Sequence, residues 1–119
     1  MSHTQLLRAS SRHKGEDYDL SAVLGAAAEG GGVPYGSLLI EFAESVLGDD
    51  NARIFEARAG LRKTMNDAAL VDAAAVIGFF NAIDRVADAT GIPLDAERLP
   101  QTADFRAALG IDTFAQSRN

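Results

Sequence analysis

Four polar residues gathered on one apolar segment are the leading candidates for chemistry: Asn81, Asp84, Arg85 and Asp88, within FFNAIDRVADATGIP. Arg85 brings a permanently charged donor fork suited to carboxylate or phosphate oxygens. Asn81, one helical turn earlier, adds an amide that both donates and accepts. Together they suit a small anion or polar ligand. Asp84 and Asp88 are also one turn apart, where a cation between or beside them would relieve their repulsion. Asp88 lies three residues after Arg85 and is its best local ion-pair partner. That pairing supports the simpler account, an ion-pair and hydrogen-bond set that orients a helix interface.

A second pair, Glu41 and Glu44, has i, i+3 spacing. Two such carboxylates suit acid–base work or cation binding. With no histidine or third ligand nearby in sequence, a solvated helix face is the plainer account. Cysteine is absent, which removes disulfides, thiolate metal sites and thiol chemistry. His3 and His13 sit in the N-terminal segment, away from every other candidate. No nucleophile elbow, histidine pair at metal-ligand spacing or P-loop is present. No metal and no cofactor are expected.

These residues need elements to position them, and the chain reads as all-α. The dominant element is NDAALVDAAAVIGFFNAIDRVADATGIP, residues 66–93. Asn66 suits an N-cap, and Asp67 and Asp72 place negative charge toward the positive end of the dipole. Val76, Phe79, Phe80, Ile83, Val86 and Ala87 recur at three- and four-residue steps, one helical face. Gly91 suits a left-handed C′ position, Ile92 can pack back on Val86 or Ala87, and Pro93 forbids continuation. The unbroken apolar run is too short to span a bilayer. The lack of polar side chains from Ala73 to Phe80 predicts contact on several sides, part of it from another subunit.

Ser37–Leu47 is predicted as an amphipathic helix with Leu38, Leu39, Phe42, Ala43 and Val46 on its apolar face, ended by Gly48. Asp49 and Asp50 compete to cap the next helix, which runs to about Lys63. Ile54, Ala57, Leu61 and Met65 face inward there, with Arg53, Glu56, Arg62 and Lys63 outward. Residues 29–36, EGGGVPYG, read as a flexible turn rather than an element, although glycines would also let backbone approach a ligand. Residues 18–28 suggest a short helix weakened by Gly25. Asp95–Leu99 forms one turn, Thr102 caps a last helix over Ala103–Leu109, and Phe114 docks the tail. No period-2 run or hairpin signal competes.

The 119 residues are enough for one modest core. A mobile basic arm is expected over 1–17 and a single helical domain over 18–119. The first 15 residues contain Arg8, Arg12 and Lys14 and no acid. As the whole chain carries −6, the rest carries −9. So acidic a body argues against nucleic-acid binding. The first residues lack the apolar core of a secretory signal, so a cytoplasmic location is expected.

The segment from Leu38 to Asp95 resembles the C-terminal half of an alkylhydroperoxidase D-like protein, of the carboxymuconolactone decarboxylase superfamily. The residues that carry the resemblance are LLIEFAESVLGDD and then Phe80-Asn81, Arg85, Ala87-Asp88, Gly91 and Pro93. It covers about half the chain. It implies a small all-helical bundle that associates through its long helix, commonly as dimers, trimers or hexamers. The family's redox members use a Cys-x-x-Cys pair and a nearby histidine. With no cysteine here, no catalytic residue carries over and thiol peroxidase activity is not expected.

Three functions follow as expectations. The first is a non-redox homo-oligomer, with a small ligand between subunits as its binding role. The second is one half of a split enzyme completed by a cysteine-bearing partner chain. The third is a cysteine-independent lyase or isomerase using Glu41, Glu44 or Arg85. The balance favours a non-enzyme.

Overall fold

Short polar caps set the boundaries of the helices. In the computed structural model, which describes residues 10, 13–15, 18–19, 21–22, 30–93 and 95–116, the first long helix, α1, spans Gly36–Leu47. Asp50 wins the competition to cap the second: its carboxylate accepts from the amides of Ala52 and Arg53 at 2.9 and 3.1 Å, and α2 runs Asn51–Thr64. Asn66 accepts from Ala69 N–H at 2.8 Å and starts α3, Asp67–Thr90. Each side-chain oxygen satisfies amides that have no partner inside the helix. At the far end of α3, Gly91 is left-handed (φ 64°), and Ile92 N–H returns to the Ala87 carbonyl at 3.2 Å. The Ile92 side chain itself stays exposed rather than docking on Val86 or Ala87. The described elements are all helical, without a strand among them. None is long and apolar enough to cross a membrane.

The contacts gather into two compact units, residues 28–92 and residues 1–27 with 93–119. In the first, α1, α2 and α3 pack on one another. Phe42, Ala57 and Leu61 are buried, ringed by Leu38, Leu39, Met65, Leu70, Ala73 and Ile77. Ser45 is also buried and stays satisfied by donating to the Phe42 carbonyl at 2.8 Å. The glycine-rich stretch before α1 departs from the flexible turn expected. Gly30–Gly32 forms a 3-10 turn laid against the start of α1. A Cβ on Gly30 would lie 2.3 Å from the Ser37 nitrogen, and one on Gly36 2.4 Å from the Gly30 oxygen. Two backbones meet there, which only residues without a side chain allow.

The long helix packs by a different side from the one its apolar spacing suggested. Leu70, Ala73 and Ile77 touch the core, whereas Val76, Phe79, Ile83 and Val86 are exposed, Phe79 by 62%. Length accounts for the uncovered C-terminal part, whereas Val71 and Val76, level with Leu70, Ala73 and Ile77, are exposed because they lie off the side that α1 and α2 cover. At ~1.5 Å per residue, the 24 residues of α3 outreach the 12 of α1 and the 14 of α2.

In the second unit, Asp95 accepts from Glu97 N–H at 3.1 Å and opens a turn at Ala96–Arg98. Helix α4, Leu99–Ala108, begins four residues earlier than expected. Thr102 is therefore no cap; it lies inside the helix and its hydroxyl donates back to the Arg98 carbonyl at 2.9 Å. Gly110 is left-handed, and a further helix, α5, Ile111–Gln116, follows. Arg106 Nε lies 3.6 Å from Asp112 Oδ1, linking α4 to α5. The predicted helix over 18–28 falls mostly outside the described residues, as does the basic arm over 1–17. The Phe105 and Phe114 side chains also lie outside them.

Because Leu61 is fully buried, Leu61→Ala should destabilise the chain by about 2–5 kcal/mol in chemical denaturation. At the same dilute concentration Phe79→Ala, though it removes the larger side chain, should cost less than Leu61→Ala.

Candidate functional site

The polar residues singled out on the long helix do not converge on a cavity. Arg85 Nε donates to Asn81 Oδ1 at 2.9 Å, one turn back along α3, so the arginine is held along its own helix. Asp84, Arg85 and Asp88 are exposed and Asn81 is half-buried.

Glu41 and Glu44 are brought to a common partner that sequence spacing alone did not identify. Arg53, in the first turn of α2, donates Nε to Glu41 Oε1 at 2.7 Å and a terminal nitrogen to Glu41 Oε2 at 2.8 Å. The same nitrogen donates to Glu44 Oε2 at 2.7 Å. One guanidinium thus ties two carboxylates of α1 to α2 in the forked geometry arginine favours. The hydrogen bond from Arg53 holds the Glu41 carboxyl below its ordinary range, and the two glutamates raise the Arg53 pKa, Glu41 most. A carboxylate so stabilised in its charged form is a weak base, and its lone pairs are already engaged. At the next corner, Arg62 of α2 pairs with Asp67 at the start of α3. Among the described residues no group of three acidic, histidine or cysteine side chains is placed to hold a metal ion.

A concave surface of this unit lies elsewhere. A groove of about 520 Å³ runs between α1 and α3, with Leu39, Ile40 and Ala43 on one wall, Ala69, Ala73, Val76 and Ile77 on the other, and Met65 between. Its volume falls within the ~300–1,000 Å³ of small-molecule sites. Asp72 is the single charged residue in its lining, and neither Arg85 nor the two glutamates contribute to it. The signal for it in the sequence was the absence of polar side chains between Ala73 and Phe80.

No family model, curated protein or solved structure matches the chain.

The Arg53 clamp has a direct pH consequence. A depressed carboxyl pKa contributes stability that is present above the ordinary value of 4.5 and lost as pH falls through the lower folded value. Carbon-detected NMR titration should place Glu41 below 4.5, and Arg53→Met should move its midpoint upward. An unchanged midpoint would show that Arg53 does not hold Glu41 in solution.

Proposed function

We propose that this chain is a non-redox, alkylhydroperoxidase D-like helical protein. In this proposal it self-associates through the exposed side of α3 and holds a small, neutral, apolar molecule in the α1–α3 groove. The observation that carries the proposal is the uncovered apolar surface of α3: Val71, Val76, Phe79, Ile83 and Val86 are all exposed on one helix. Contiguous apolar surface of this kind marks interaction sites. The family assignment rests on the Leu38–Asp95 segment and its helical order. Binding is preferred to catalysis because Glu41 and Glu44 are engaged by Arg53, Arg85 is engaged by Asn81, and the groove holds no pair of titratable groups. The Asp72 carboxylate at the groove selects against anions, and the apolar lining around it favours an uncharged ligand.

Sedimentation velocity from 1 to about 100 µM, a range set by the micromolar affinity of modest interfaces, should show concentration-dependent association. A strict monomer throughout would overturn self-association. N-phenyl-1-naphthylamine, a neutral apolar probe, should gain fluorescence with the protein and lose that gain in Ala43→Phe, which fills the groove. Equal fluorescence with the helical variant would remove the ligand site.

A further inference from the structure

We infer that the partner of the exposed α3 side is α3 of a second copy, running antiparallel; this rests on the self-association proposed above. The argument begins with spacing. Asp72, Phe79 and Val86 recur every seven residues, and so do Ala75, Ala82 and Ala89, three residues behind them. The two series interleave as the positions that meet at the contact line of paired helices. All six residues are exposed, so the chain itself leaves the whole line open. One series is large beyond its first member and the other is uniformly alanine.

A surface that pairs with its own copy about a two-fold axis must place each residue opposite its complement in both directions. Antiparallel alignment centred between Phe80 and Asn81 does so. Phe79 then meets Ala82, Val86 meets Ala75 and Asp72 meets Ala89, each twice. Every layer joins one larger and one small side chain, so packing volume stays even along the seam. Ile83 of each copy falls beside Val76 of the other and closes one flank. Parallel, in-register pairing fails on the same residues. Phe79 would crowd Phe79 while alanine faced alanine, and the two Asp72 carboxylates would meet. Antiparallel pairing instead separates the two Asp72 residues by more than 20 Å at ~1.5 Å per residue. Keeping the two Asp72 carboxylates apart, in a chain of net charge −6, favours the antiparallel direction over the parallel one.

The chain has no cysteine, so introduced thiols report alone. Ala75→Cys and Val86→Cys chains, mixed and oxidised, should give the mixed disulfide dimer. Each variant oxidised alone should not cross-link, because its two thiols would be roughly 16 Å apart, beyond the ~4.4–6.8 Å Cα separation of a disulfide. Self-linking of either single variant would overturn the antiparallel direction while leaving association standing. Association by sedimentation with no cross-link in any mixture would overturn the seam. Monomers at every concentration would overturn the underlying self-association itself. In parallel, Phe79→Arg should weaken association at least tenfold while circular dichroism stays helical, since Phe79 is exposed. Phe55→Arg, on the exposed side of α2, should leave association unchanged. The reverse pattern would assign the contact to α2 and overturn the inference.

Discussion

The architecture of residues 28–92 depends on a mismatch between one long helix and two short ones. Helix α3 carries apolar side chains on more than one side, and its neighbours can cover only one. They cover the side with Leu70, Ala73 and Ile77. The rest follows from that choice. Among the described residues of this unit the buried apolar set is small, namely Phe42, Ala57 and Leu61, while Phe79, Val76 and Val86 face outward. Small cores stabilise weakly, and units of this size often gain the remainder by oligomerisation or ligand binding.

The helices were legible where one side chain decides a boundary. Asn66, Asp50 and Gly91 each act locally, through a hydrogen bond or a left-handed backbone, and their sequence signals carried directly into structure. Thr102 shows the limit of that logic. A threonine that caps a helix and one that donates back to the carbonyl four residues earlier look alike in sequence. Pro100 reinforces the earlier start, because the first turn of a helix tolerates a missing amide hydrogen. The glycine run before α1 departs from expectation for a related reason. Composition signals freedom of backbone, but Gly30 and Gly36 use their bareness for contact with each other.

The Arg53 clamp is legible in the sequence only when α1 and α2 are taken as a pair. Glu41 and Glu44 lie on the helix before the Gly48-Asp49-Asp50 turn, and Arg53 lies just after it. Glu44 and Arg53 are nearly equidistant from that turn, so an antiparallel helix pair must bring them level. Reading each helix separately left Arg53 simply outward and the two glutamates solvated. The distances of 2.7–2.8 Å emerge only when the hairpin is closed. The apolar spacing on α3 carried the opposite ambiguity. Periodicity identifies faces that avoid water, but it does not say whether the same chain or another one covers them.

Net charge opposes association through this apolar side, since joining two copies of an acidic chain brings like charges together. The placement of charge on α3 resolves the conflict. From Ala73 to Ile83 the helix has no ionised side chain at all. Asp84 and Asp88 lie on the turn of the helix that continues the Ile77 side, away from Phe79 and Val86. Asp67 is neutralised by Arg62 within its own chain. In the proposed pairing the repulsion between copies would therefore act at long range, where salt screens it within about 10 Å at 0.1 M, whereas the proposed contact line is free of charge except at Asp72. Under the proposed association, desolvating that line would cost little, because Asp72 is the one ionised side chain on it.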